Sequence, residues 1–329
     1  MKNEPALPIE RIRGLINRYY ELNLRRLDFL PIGEGSWCYR GTGESSVFIR
    51  LVENSNAVLK TNYLIQLLAD YNFPVLPPLS HKYGQTVARI ENYGLVVYPY
   101  LKGLTVMQSG LNDQQLTAVR QEIGAIVARL HELTEQVKCQ IDLSTEDFTK
   151  FQPEFHSIVC SNRKTDCQDQ LIIDWIKFIQ ERESELTNLV QVAERLGNEL
   201  RSRKPDYVLC HGDIHEDNII MASSGGLYII DWDNAILAPK ERDLVFFGGD
   251  EDNLKQYFGL LNSKQAEPVI IDYYVLEWAL QEIVDYSNRI SSNSFFSLEG
   301  RLDAWHQFQS LFKTNQDVDR AYQVASHYM

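Results

Sequence analysis

The stretch Tyr207–Asp233, YVLCHGDIHEDNIIMASSGGLYIIDWD, decides how the rest of the chain is read. Two short apolar runs, 207–210 and 227–230, each end in acidic and hydrogen-bonding residues, with Ser-Ser-Gly-Gly between them. Glycine supplies the positive φ that such a turn needs. The pattern predicts a strand, a polar loop, a strand, a turn, a strand and a second polar loop.

His211-Gly-Asp213 leads the first polar loop, Asn218 follows the Asp by five residues, and Asp231-Trp-Asp233 forms the second loop. Phosphoryl transfer from a nucleotide requires that set of groups. A carboxylate must sit beside the attacking hydroxyl, and oxygen ligands must hold the divalent cation that bridges the phosphates. An Asp opening a tight loop can orient the hydroxyl and take its proton. An amide oxygen five residues on can fold back to a metal, and a second Asp beyond the next strand pair can reach the same metal from the other side.

Upstream, Ile9, Ile12, Ile16 and Tyr19/Tyr20 share one face of a helix over 9–20. Strands follow at 27–32, 37–40 and 47–52, the last carrying Arg50, with a Gly-Thr-Gly turn at 41–43. Between the first two lies Gly33-Glu-Gly35-Ser36-Trp37, whose glycines allow backbone N–H groups to approach phosphates. The G-x-G-x-x-G pattern is incomplete, since Cys38 takes the last glycine place. A helix over 56–70 turns Val58, Leu64, Ile65 and Leu68 inward. Residues 75–80 are proline-rich and extended, and strands follow at 86–90 and 95–98. Pro99 and Gly103 bracket Tyr-Leu-Lys and mark a break between a sheet-rich and a helix-rich part.

Downstream of that break, Leu116, Val119, Ile123, Ile126/Val127, Leu130 and Leu133 recur at helical spacing over 112–134, with Asn112 or Asp113 as cap. Residues 146–200 read as polar helices. The Ile-Ile-Asp174-Trp there imitates the later Ile-Ile-Asp231-Trp, but helical periodicity runs on through it, so Asp174 is expected to be structural or solvent-facing. Residues 237–252 read as a loop leading into a helix, and further helices cover 268–290 and 298–329.

The bulk composition narrows the function classes. Of 329 residues, 44% are hydrophobic, which supports a sizeable core, and no apolar run approaches the ~18 residues of a membrane span. Without a signal-peptide pattern at the start, a cytoplasmic protein with no membrane partner is expected. The five cysteines (38, 139, 160, 167, 210) are scattered and form no C-x-x-C pair, so they indicate neither a disulfide framework nor a zinc site. A net charge of −13 argues against nucleic acid, whose phosphates need a basic face, and is compatible with a cationic small substrate.

His211-Gly-Asp213-x-x-x-x-Asn218 with Ile-Asp231-Trp-Asp233 resembles the hallmark of the aminoglycoside phosphotransferase and choline kinase superfamily. VLCHGDIHEDN, then YIIDWDNAILAPKERDL and the following Gly-Gly, look close to its spectinomycin phosphotransferase branch. The resemblance is tight over roughly 205–250 and matches in architecture over the whole chain. It implies an α+β, bilobal protein-kinase-like fold: a small antiparallel-sheet lobe at 1–97 for the nucleotide, a hinge at 98–103, and a large helical lobe at 104–329. It also implies ATP, or GTP in its place, with Mg2+, and a small-molecule alcohol as acceptor.

By the same resemblance Asp213 is the catalytic base or orienter, Asn218 and Asp231 are the metal ligands, and His211 orders the loop. Asp233 serves metal or substrate, and His215 lines the site or caps the turn. Asp243 in Glu-Arg-Asp-Leu is expected to be structural. Gly33, Gly35, Ser36, Arg50, Tyr98 and Tyr100 are the nucleotide-binding candidates. Arg50 stands where kinases carry a Lys, no helix Glu is evident to pair with it, and Lys60 competes for its role. Glu277, Glu282 and Asp285 are candidates for an ammonium-bearing acceptor, against the plainer reading of a solvated helix face.

Three rivals differ in class. Gly-Asp-Ile-His also occurs in metallophosphatases, but the further Asp, Asn and His loops of that fold do not follow here. A non-catalytic nucleotide-binding module would not need the full Asp213, Asn218 and Asp231 set. A kinase of a metabolite alcohol such as choline, homoserine or a sugar shares every feature above, because fold does not fix substrate.

Overall fold

The computed structural model describes residues 3–32, 35–53, 55–160, 168–247, 251–261, 265–292 and 295–329. Gly33, Cys167 and the Gly-Gly at 248–249 lie outside them. The chain forms two compact units, each discontinuous in sequence. One comprises Glu4–Thr145 with Val208–Gln265, the other Glu146–Tyr207 with Ala266–Met329.

The first unit opens with helix α1 (Ile9–Tyr20) and strands β1 (Arg26–Leu30), β2 (Trp37–Thr42) and β3 (Ser46–Val52). Helix α2 (Ser55–Asp70) and strands β4 (Val87–Ile90) and β5 (Tyr93–Pro99) follow. The five strands make one antiparallel sheet in the order β1-β2-β3-β5-β4. β2 runs two residues past its expected end because Thr42 pairs with Ser46, which moves the turn to 43–45. Side chains alternate across a strand. Val47, Ile49 and Leu51 therefore join Ile12, Ile16, Trp37 and Tyr39 in a core, and Arg50 falls on the opposite face. Its register partner Val96 and the neighbouring Tyr98 share that face.

Next come β6 (Gly103–Thr105), α3 (Asp113–Glu132) and α4 (Thr134–Lys138). The N-terminus of α3 is closed by a capping box: Asn112 Oδ1 accepts from Gln115 N at 3.0 Å, and Gln115 Oε1 accepts from Asn112 N at 3.1 Å. The chain then enters the second unit as α5 (Gln152–Cys160), α6 (Gln170–Gln180) and α7 (Glu183–Arg203). Asp174 is exposed on α6 and accepts a hydrogen bond from Gln170, one helical turn back.

Returning to the first unit, the chain forms β7 (Val208–Cys210), β8 (Ile219–Ala222), β9 (Leu227–Ile229), β10 (Ile236–Ala238), α8 (Glu241–Leu244) and α9 (Glu251–Leu261). β6, β8 and β9 make one small sheet, and β7 and β10 another. Thus two strand pairs flank the first polar loop and hold both its ends. The second unit ends with α10 (Pro268–Ser291), α11 (Leu298–Ser310) and α12 (Asp317–Ser326). Within it, Tyr273, Leu276, Leu280 and Ile283 of α10 are buried. No helix among the described residues is long and apolar enough to cross a membrane.

Candidate active site

The loop between β7 and β8 begins at a buried histidine. His211 is fully enclosed. Its Nε2 lies 3.0 Å from the Ile230 carbonyl, and its Nδ1 accepts from the Asp213 backbone N–H at 3.2 Å. An Nε2–H tautomer satisfies both contacts, so one ring ties the start of the first polar loop to the start of the second. Gly212 has φ +81°, and a Cβ there would meet the Asn234 carbonyl at 2.5 Å. The tight approach of the two loops therefore excludes any side chain at 212.

Asp243 of α8 holds this corner from below. It is completely buried, and its two oxygens accept the backbone N–H groups of His211 (3.0 Å) and Gly212 (2.8 Å). His131 Nε2 from α3 lies 3.1 Å from the same carboxylate, and His131 Nδ1 lies 2.8 Å from Tyr257 Oη of α9. Burial pushes the Asp243 carboxyl up, but the His131 hydrogen bond and charge, with His211 and the Gly212 N–H, outweigh it and hold it below the usual carboxylate range. Cys210 completes the cluster. Ligand atoms of His131, Cys210 and Asp243 converge within 4.8 Å, yet Cys210 Sγ donates to the Ala238 and Pro239 carbonyls. Hydrogen bonds therefore already knit this group together, with Cys210 a buried core residue and Asp243 a structural acid.

Asn218 closes the loop. Its amide nitrogen donates to the Asp213 carbonyl at 2.8 Å and lies 3.3 Å from Asp213 Oδ2. Its backbone carbonyl accepts from Ile230 N at 3.0 Å, linking it to the Asp231 loop. His215 Nδ1 caps the 3₁₀ turn Glu216–Asn218 by accepting from Asp217 N, and its Nε2 lies 3.7 Å from Asp213 Oδ1. Glu216 is anchored in turn by Arg120 of α3, whose Nε and Nη2 both donate to one carboxylate oxygen.

Asp231 adopts the left-handed conformation (φ 63°), which Asp tolerates better than most residues but which still costs energy. Buried Trp232 fixes the strained loop: its ring stands edge-on to His211 at 4.6 Å and to Phe73 at 5.8 Å, and Nε1 donates to Ile229 O. Surrounding protein, with Asp233 and Asp213 adding to it, raises the Asp231 carboxyl against the opposing pull of Arg50 and His211. Its outer surface is open to water, which screens part of that effect.

The nucleotide candidates divide. Arg50 reaches the second loop: Nη2 donates to Asp233 Oδ2 at 2.5 Å, and Nε donates to buried Ser36 Oγ at 3.2 Å. Arg50, Ser36, Asp231 and Asp233 thus come together. Gly35 lies nearby in sequence, and a Cβ there would meet nothing within 4 Å among the described residues. Tyr98 is buried, and its hydroxyl donates to Asn62 Oδ1 of α2 at 3.0 Å. Burial, eased by Arg50, pushes that hydroxyl up to about 12. Tyr100 is half-buried, with the Arg40 guanidinium 4.5 Å from its ring centre. Lys60 is exposed on α2, and no contact joins it to Arg50, Asp231 or Asp233 among the described residues.

The acceptor candidates lie in the second unit, on α10. Glu277 is buried, whereas Glu282 and Asp285 are half-buried. Sequence reasoning missed His131, Tyr257 and Arg120. The available signal was positional: His131 follows Val127 by one helical turn on the apolar face of α3, where an ionisable residue needs a partner.

A profile of the phosphotransferase enzyme family matches residues 36–254, which takes in Ser36, Arg50, both polar loops and Asp243. Protein StrN of Streptomyces griseus is 27% identical over 277 residues, or 80% of each chain. Among solved structures, spectinomycin phosphotransferase APH(9)-Ia in complex with ADP and spectinomycin superposes with a TM-score of 0.80 at 23% identity, covering 97% of this chain and 99% of that one. Amicoumacin kinase hAmiN in complex with AMP-PNP, Ca2+ and Ami gives 0.61 at 14% identity, covering 95% and 97%. At these identities the likeness to the solved structures is one of fold, and it agrees with the antiparallel sheet and helical remainder described above.

Proposed function

Because the chain belongs to the phosphotransferase enzyme family, we propose that it transfers the γ-phosphoryl group of ATP, with Mg2+, to a hydroxyl of a small cationic molecule of aminoglycoside or aminocyclitol type. The observation that carries this reading is the convergence of one loop holding Asp213 and Asn218, a second holding Asp231 and Asp233, and Arg50 projecting from β3.

Asp213 is the group proposed to meet the acceptor. Its Oδ1 makes no hydrogen bond among the described residues, with His215 Nε2 3.7 Å away, so this oxygen keeps the capacity to take an incoming hydroxyl proton. Oδ2 is steadied by the Asn218 amide. Asn218 and Asp231 offer an amide oxygen and a carboxylate, hard donors of the kind Mg2+ takes. When bound, that ion neutralises charge on the transferring phosphoryl group. His211 keeps the two loops in register. Arg50, Ser36 and the backbone at Gly35 are proposed for the phosphates, and the 98–103 segment, with Tyr100, for the base, ATP or GTP. In this reading 98–103 is the hinge between a nucleotide lobe at 1–97 and a helical lobe at 104–329.

The acceptor class rests on the acidity of the chain, net −13, and on likeness to a phosphotransferase holding spectinomycin. Glu282 and Asp285, with Glu277, are the acids proposed to attract its ammonium groups. Such transfer in the cytoplasm would inactivate an antibiotic.

Mass spectrometry of purified protein with Mg-ATP and a panel of hydroxyl compounds tests the proposal. One phosphoryl group should appear on an aminocyclitol or aminoglycoside-like alcohol. Transfer only to choline, homoserine or a sugar would replace the acceptor class and keep the reaction. ATP binding with transfer to none of them would overturn the catalytic reading.

A further inference from the structure

Arg50 already has an anionic partner. Its side chain is 15% exposed, that of Asp233 is 40% exposed, and the two meet at 2.5 Å across 183 residues of sequence. Burial alone would lower the Arg50 guanidinium, but Asp233 first and Asp231 second more than compensate and raise it. The guanidinium of Arg50 therefore sits, largely buried, between the carboxylates of Asp233 and Asp231. A bare polyphosphate approaching it meets a competitor on Arg50 and further negative charge beside it.

We propose that Asp233 occupies the phosphate position on Arg50, and that binding of a cation-loaded nucleotide exchanges partners: Arg50 passes to a phosphate oxygen and Asp233 is released toward the divalent ion. The exchange follows from charge. Both Asp233 and a phosphate oxygen can pair with the guanidinium fork, but a buried Arg cannot serve both fully. A divalent ion removes the conflict by giving the displaced carboxylate a new counter-charge. Asp233 is then a positioning residue that makes the site select the Mg2+-nucleotide over the free nucleotide. This inference rests on the nucleotide reading given above.

Calorimetric titration of ADP into the full chain, in chelator and in Mg2+, tests it. Wild type should bind the Mg2+ form much more tightly than the free form. Asp233→Asn should bind free ADP roughly tenfold tighter than wild type, within the usual range of coupling between sites, and gain nothing in Mg2+. Asp233→Glu keeps the charge and should retain the wild-type cation dependence. Glu53→Gln removes the same charge from an exposed position at the end of β3 and should change neither affinity. Unchanged or weaker free-ADP binding by Asp233→Asn overturns the exchange, as does an equal gain from Glu53→Gln. Wild type that binds ADP in neither condition would overturn the nucleotide reading and the exchange together, whereas binding with no difference between variants overturns the exchange alone.

Discussion

Asp243 touches no proposed ligand, yet it decides where Asp213 stands. Its carboxylate takes the N–H groups of His211 and Gly212 from a fully buried position, and His131 Nε2 lies 3.1 Å from it. Asp243→Asn leaves at least one buried donor without an acceptor. A loss of roughly 3 kcal/mol or more is expected on the scale of a broken buried pair, read from urea unfolding. The carboxyl is held below its ordinary value, so its contribution is fully present above the ordinary carboxylate range and lost as pH falls through the lowered folded value. The gap between variant and wild type should narrow in acid. A gap independent of pH would contradict the assignment. At this scale the spacing of Asp213, Asn218 and Asp231 was readable because five residues of loop and one strand pair fix it locally. The partner of Arg50 was not readable. Kinase precedent directs attention to α2, whereas the pairing carboxylate comes from Asp233, far along the chain.

Among the elements, those with long periodic stretches were legible and the short ones were not. α2 buries Val58, Leu64, Ile65 and Leu68 as their spacing requires, and α3 starts at the Asn112 cap. β6, β10 and α8 escaped notice because three or four residues carry no periodicity and are made by tertiary pairing, β10 with β7 and β6 with β8. Within 146–200 the first helix begins only at Gln152, after Phe148 and Phe151, both at positive φ, a feature that apolar side chains do not announce. The β7–β8 loop has one position that local geometry makes irreplaceable. Gly212→Ala would place a Cβ 2.5 Å from the Asn234 carbonyl at φ +81°. A cost of about 2 kcal/mol and displacement of Asp213 are expected, so stability and turnover should fall together. A fully active, equally stable variant would show that the loop contact is not required.

At the scale of the whole molecule, the site belongs to a unit that the chain leaves and re-enters. The sequence suggested a division near 98–103 in chain order, whereas compactness joins Glu4–Thr145 to Val208–Gln265. That joining is not visible in composition, since it depends on β6 pairing with β8 and on Arg50 meeting Asp233. A fragment ending at residue 145 keeps the five-stranded sheet but lacks the partners of both, and is expected not to bind ADP in calorimetry. Binding at wild-type affinity would show that the sheet alone carries the nucleotide site. The most direct test of phosphoryl transfer at Asp213 compares wild type with Asp213→Ala, measuring transfer from Mg-ATP to the acceptor alongside ADP affinity. The proposed role predicts at least a ~100-fold loss of transfer, with affinity held within about threefold because the lost interaction is made in the transition state. Full transfer by the alanine variant would contradict it.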